Sequence, residues 1–162
     1  RDARGYFYES YNRRSFAAAT GQDVEFVQDN HSRSVRYVLR GLHYQVRQPQ
    51  GKLVRVVEGE IWDVAVDLRR ASPSFGRWAG IKLDALSHRM LWIPPGFAHG
   101  FVVLSELADV LYKATDFYAP AHERTLLWND PALAIPWPLA GEPVMTDKDR
   151  RGVQLAGAEK FD

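Results

Sequence analysis

Five short runs of strand-forming residues each carry an ionisable or hydroxyl side chain among apolar neighbours. Successive strand residues point to opposite faces, so residues two apart share a side. His43 then shares a face with Gln45, Lys52 with Val54 and Val56, Asp63 with Ile61 and Ala65, His99 with Phe101 and Val103, and Tyr112 with Val110 and Ala114. If those faces look into a barrel, the five side chains converge on a cavity. Imidazole, ammonium, carboxylate and phenol are the groups that move protons in general acid–base catalysis. Burying so many of them is costly unless they bond to one another or to a ligand.

Each residue also has a plainer reading. A single His in a strand is more often a satisfied structural residue than a catalyst. Lys52 opens its run and can be solvated, Asp63 can pair with an Arg of a neighbouring strand, and Tyr112 can be a barrel aromatic with its hydroxyl at the rim. Asp149 can be no more than the carboxylate of a Thr146-x-x-Asp149 capping box. Metal binding is the rival use of the histidines, and it needs three His, or two His and a carboxylate, on adjacent strands. In Gly41–Gln45 the second position of an H-x-H pair is Gln45, and His31, His88 and His122 fall in expected loops. The pattern points away from a metal.

The elements that must position these residues read as strands. Lys52–Val57 and Glu60–Leu68, rich in β-branched residues and separated by Glu58-Gly59, read as a β-hairpin. Further runs are Glu25–Gln28, Val35–Gln45, Trp78–Leu83, Arg89–Ile93, His99–Leu104, Val110–Thr115 and Thr125–Trp128. Breaks fall at Ser72-Pro73, Pro94-Pro95-Gly96, Ala119-Pro120 and Asn129-Asp130-Pro131. Short strands at this spacing imply an all-β sandwich or barrel. Helix is sparse: a turn over Phe16–Thr20, a competing helical reading of Ser105–Leu111, and a short C-terminal helix opening at Thr146.

The 162 residues suit one domain spanning 1–162. Composition is that of an ordinary globular chain, 46% hydrophobic and 25% charged, which excludes intrinsic disorder. With 21 Lys and Arg against 20 Asp and Glu the net charge is +1, so no general grip on nucleic acid is expected, although a local basic pocket is compatible with it. The absence of cysteine removes disulfides, thiolate metal sites and a Cys nucleophile. No apolar run approaches the roughly 20 residues of a membrane span, and no leader pattern is visible, so a cytoplasmic protein is expected. The chain begins at Arg1, which suggests that N-terminal residues are missing.

Longer segments carry a resemblance. Pro94-x-Gly96-x-x-His99 is similar to the second motif of the cupin, or jelly-roll, superfamily. More specific are Phe26–Ser32 (FVQDNHS), Leu39–Gln45 (LRGLHYQ), Gln50–Val56 (QGKLVRV), Asp63–Arg69 (DVAVDLR), Trp92–Phe101 (WIPPGFAHGF), Tyr112–Thr115 (YKAT), Trp128–Pro131 (WNDP) and Asp147–Asp149 (DKD). Together, from about Arg4 to Asp149, they resemble the dTDP-4-dehydrorhamnose 3,5-epimerase family of cupin-type nucleotide-sugar epimerases. The resemblance implies a double-stranded β-helix barrel with a few short helices. It implies cofactor-independent epimerisation at C3 and C5 of dTDP-4-dehydro-6-deoxy-D-glucose, giving dTDP-4-dehydro-L-rhamnose for bacterial surface polysaccharide. It also implies a homodimer and no metal.

Residue by residue, the resemblance makes His43 the base, Asp149 the carboxylate that orients it, Lys52 the ammonium beside O4, and Tyr112 the acid on the opposite face of the sugar. His99 matches a substrate contact and Asp63 a pocket carboxylate that orients Lys52 or His99. Arg40, Lys148 and Arg4 match diphosphate-binding positions, Arg4 on an N-terminal segment that reaches the partner's site. Glu9, Gln28, Asp29 and Asn30 match residues around the nucleoside and sugar, Tyr118 an aromatic that stacks on thymine, and Glu123 a further substrate contact. Two positions depart from the family pattern: Tyr37 stands where Gly is expected, and Thr146 where Ser is commoner. The competing readings are an epimerase acting at C3 or C5 alone, a metal-dependent cupin oxygenase, and a non-catalytic sugar-nucleotide-binding module.

Overall fold

A computed structural model describes residues 2–162. In chain order the elements are α1 (Arg13–Thr20), β1 (Gln28–Val35), β2 (Leu39–Gln45), β3 (Lys52–Glu58), β4 (Glu60–Asp67), β5 (Trp78–Asp84), β6 (Met90–Ile93), β7 (Phe97–Val103), β8 (Leu107–Ala114), β9 (Glu123–Thr125) and α2 (Asp147–Arg150). The strands form two antiparallel sheets, β1-β8-β3-β6 and β5-β4-β7-β2-β9. This is the two-sheet jelly-roll architecture that the resemblance implied.

The inner faces pack on one another through Val54, Val56, Ile61, Ala65, Phe101, Val103 and Val110. These are the alternate residues that share faces with Lys52, Asp63, His99 and Tyr112, so the period-2 reading of those strands holds. A second apolar cluster lies on the outer face of the five-stranded sheet. There Leu42, Tyr44, Val64, Val66 and Leu68 are covered by Leu126, Leu133, Ile135 and Ala158 of the C-terminal part of the chain. On the other sheet, Phe16 of α1 meets Phe26 and Trp92 in edge-on aromatic contacts. Helix α1 starts one turn earlier than its sequence suggested because Asn12 caps it, accepting from the Arg14 and Ser15 N–H groups.

Several expectations are corrected. Lys52–Val57 and Glu60–Leu68 are not a hairpin: β3 pairs with β6 and β8, while β4 pairs with β5 and β7 in the other sheet. Gly59, at φ 75°, turns the chain from one sheet to the other, and a Cβ there would lie 2.0 Å from the Leu107 carbonyl oxygen. A turn glycine marks a reversal but not the partner. Val35–Gln45 is broken by a turn at Arg36–Val38 into β1 and β2. Strand β1 covers Asp29–Ser34, which had no strand signal because both of its faces are polar. Ser105–Leu111 is not helical; β8 begins at Leu107.

Candidate active site

Two glycines bring β2 and β7 together beneath the site. A Cβ on Gly41 would lie 2.6 Å from Gly100 Cα, and one on Gly100 would lie 2.5 Å from the Arg40 carbonyl oxygen. The register of β2 on β7 shifts between Arg40 and His43, and beyond the shift His43 and His99 stand opposite each other. Lys52 and Tyr112 look in from the facing sheet, where Lys52 pairs with Ala114 and Tyr112 with Val54. Together they line a cavity of about 220 Å³ with Ser32, Arg40, Gly100 and Phe101. That is several times the ~30 Å³ share of one water molecule.

Behind His43 sits Asp149, which is 4% exposed and whose Oδ1 is 2.6 Å from His43 Nε2. Burial pushes this carboxyl up, but the His43 hydrogen bond and charge, the Gly41 N–H and Lys148 together hold it below the usual carboxylate range. Thr146 does cap α2, accepting from the Asp149 N–H at 3.2 Å. The Asp149 carboxylate, however, is spent on His43 and Gly41 rather than on the helix start. The other ring nitrogen of His43, Nδ1, has no hydrogen-bond partner among the described residues.

His99 is buried and its Nε2 lies 2.9 Å from both oxygens of Asp63, which is fully buried. Burial pushes the His99 imidazole down, towards the neutral ring, despite the opposing pull of Asp63. Asp63 therefore orients His99 from behind the cavity wall. Lys52 is 8% exposed, and burial lowers its ammonium to about 8 against the pull of Asp63 and Glu123. Its Nζ donates to the His43 carbonyl oxygen at 3.5 Å and lies 6.0 Å from the centre of the Tyr112 ring. The Tyr112 phenol is raised, first by burial and then by Glu123, so it holds its proton.

At one side of the site Glu123 ties two further residues together. Its Oε2 accepts from the Tyr118 hydroxyl at 2.9 Å and from the Lys148 ammonium. Tyr118 is 52% exposed, and its N–H donates to Gln28 Oε1. Gln28 in turn donates to Asn30 Oδ1. Arg40 donates from Nε to Ser34 Oγ at 2.9 Å.

Three expected residues lie apart from both the cavity and the groups bonded around it. Asp29 alternates to the outer face of β1, where it pairs with Lys113 at 3.0 Å; the period-2 rule that puts Gln28 and Asn30 inside puts Asp29 outside. Arg4 is exposed and paired with Asp2, and Glu9 is exposed and accepts from Asn12. Gln45, read as sharing the His43 face, braces loops through the Gln48 and Phe117 carbonyls and the Ala119 N–H. Among the described residues no three His, Cys, Asp or Glu side chains gather as a metal cradle would require. Ser32 was missed; its only signal is the polar alternation of Gln28, Asn30, Ser32 and Ser34.

Comparison with known proteins gives the family of the chain. The family profile of dTDP-4-dehydrorhamnose 3,5-epimerase matches residues 1–157. The dTDP-4-dehydrorhamnose 3,5-epimerase of Pseudomonas aeruginosa is 63% identical over 160 residues, 99% of this chain and 88% of that protein. The crystal structure of a dTDP-6-deoxy-D-glucose-3,5-epimerase from Legionella pneumophila, in complex with dTDP-4-keto-L-rhamnose, superposes with a TM-score of 0.94 at 50% identity, covering 98% of this chain and 84% of that one. A 3'-monoepimerase from Streptomyces bikiniensis, in complex with dTDP-quinovose, is more distant at 36% identity and a TM-score of 0.89, covering 96% of this chain and 79% of that one.

Proposed function

The chain belongs to the dTDP-4-dehydrorhamnose 3,5-epimerase family, and on that premise we propose how its residues divide the reaction. The reaction is the isomerisation of dTDP-4-dehydro-6-deoxy-D-glucose to dTDP-4-dehydro-L-rhamnose by inversion at C3 and C5, a step in dTDP-rhamnose biosynthesis. Both carbons flank the C4 ketone. Loss of a proton from either gives an enolate, and reprotonation from the other face inverts the centre.

His43 takes the proton. Its Nε2 is turned to Asp149, which holds the ring in place and leaves Nδ1 as the base. Tyr112 returns a proton from the opposite face; a phenol raised by burial is in its acid form at neutral pH. The Lys52 ammonium stabilises the charge that develops on O4, where a preorganised cation is worth most in a dry site. Arg40 and Lys148 bind the diphosphate, Tyr118 stacks on the base, and Asp63 holds His99 against the sugar. The observation that carries this reading is that His43 and Tyr112 come from opposite sheets and line one cavity with Lys52 between them.

The protein acts as a homodimer in which Arg4 and Glu9 enter the partner's site. Support comes from their exposure, their absence from the lining of their own cavity, and the aromatic run beside them, in which Phe7 is 98% exposed. A cytoplasmic setting fits the nucleotide-sugar substrate; no helix among the described residues is long and apolar enough to cross a membrane.

Turnover in deuterated water tests the reaction. Deuterium at both C3 and C5 of the product is the expected result. Label at one carbon alone would favour a single-centre epimerase, the reading to which the Streptomyces bikiniensis relative lends weight.

A further inference from the structure

Strand β1 differs from the other cavity walls because its inward residues, Gln28, Asn30, Ser32 and Ser34, are all polar. An inward sheet face is normally apolar, and each buried polar group must find a partner. Gln28 is engaged on both sides, accepting from the Tyr118 N–H and donating to Asn30. The Ser34 hydroxyl accepts from Arg40 Nε. Two groups are left over. The Ser32 hydroxyl and the Asn30 amide nitrogen are both shut off from solvent without a hydrogen-bond partner among the described residues. Folds keep such orphans where something other than the protein satisfies them.

Ser32 lies on the cavity wall with Arg40, His43, Lys52 and Tyr112. It is one pleat from Ser34, the residue that anchors Arg40 by its Nε. That anchor leaves the two terminal nitrogens of Arg40 without a partner among the described residues, a fork suited to phosphate oxygens. A hydroxyl with a spare O–H donor therefore stands beside an open guanidinium, close to where the hexose reacts.

We infer that Ser32 is a substrate-binding residue whose hydroxyl donates to a non-bridging oxygen of the sugar-side phosphate gripped by Arg40. The inference rests on the reading of the ligand as a dTDP-sugar. Phosphate oxygens accept and do not donate, so a hydroxyl is a fitting partner and a methyl is not. No other group among the described residues bonds to this hydroxyl.

Calorimetric titration with dTDP and with dTMP, on the wild-type protein, Ser32→Ala and Ser32→Thr, tests the inference. Loss of a hydrogen bond to a charged group should weaken dTDP binding about 10- to 100-fold in Ser32→Ala. Binding of dTMP, which lacks the second phosphate, should change less than about twofold. Ser32→Thr, which keeps the hydroxyl, should recover most of the dTDP affinity. The melting temperature of free Ser32→Ala should equal or exceed that of the wild type, because no bond is lost. Unchanged dTDP affinity in Ser32→Ala, or equal losses for dTDP and dTMP, would overturn the role. A wild-type protein that binds no dTDP would instead overturn the reading of the ligand, and the Ser32 role with it.

Discussion

Lys52 carries an electrostatic conflict. Its ammonium is needed beside O4, yet burial lowers it to about 8. Below that pH the side chain is charged and able to stabilise an enolate; above it the charge is lost. The expected outcome is a fall in kcat/KM on the alkaline side with an apparent pKa near 8, since kcat/KM reports the free enzyme. A profile flat to pH 9.5 would remove the ammonium from the chemistry. Lys52→Met should lower kcat by about 10²- to 10³-fold, the usual cost of removing one preorganised stabilising group. At this scale the sequence was informative. Lys52, His43, His99 and Tyr112 were each visible as polar interruptions of an apolar strand face, and the structure gathers them. Asp149 was found only by resemblance, because its partner His43 is distant in sequence and no local pattern links them. The resemblance covers the whole run Gln28–Asn30, but alternate members of a strand face opposite ways, and the Asp29 side chain lies on the outer face of β1 against Lys113.

At the scale of elements, strand existence was easier to read than strand partnership. The run Lys52–Leu68 showed two strands and a glycine turn, but the two halves join different sheets. Pairing is decided by which faces can be buried together, a non-local matter that turn residues do not encode. Strand β1 carries no apolar alternation to read, because its inner face is polar. The turn between β1 and β2 explains one departure from the family pattern. Tyr37 sits at φ 63°, in the left-handed region where a Cβ costs about 1–2 kcal/mol, so glycine is the residue expected there. Tyr37→Gly should stabilise the fold by roughly 1 kcal/mol, or raise Tm by about 2–4 °C. A lower Tm would mean that the packing of the half-buried ring outweighs the backbone strain.

The molecule is two sheets closed on a small polar chamber whose lining, among the described residues, includes neither Arg4 nor Glu9. Arg4 and Glu9 are exposed and pair only locally, with Asp2 and Asn12, and the proposed homodimer would give them a role in the partner's site. Mixed dimers test this. Arg4→Ala and Lys52→Met should each be impaired alone. In a mixed dimer the Arg4→Ala chain keeps its own Lys52 and borrows an intact Arg4, so one site is complete. Random pairing should restore roughly a quarter of the wild-type rate. Activity no higher than the sum of the two variants would contradict exchange of the segment.

The central claim is that abstraction and reprotonation belong to different residues on opposite faces of the sugar. Isotope exchange separates the two steps. Substrate incubated in deuterated water with Tyr112→Phe should take up deuterium at the carbons flanking the ketone, because His43 still removes the proton and returns one from solvent on the same face. Inversion should be slowed about 10²- to 10⁴-fold, the usual contribution of a positioned acid. His43→Ala should show neither exchange nor inversion. Inversion at the wild-type rate by Tyr112→Phe, or exchange that survives in His43→Ala, would contradict the account.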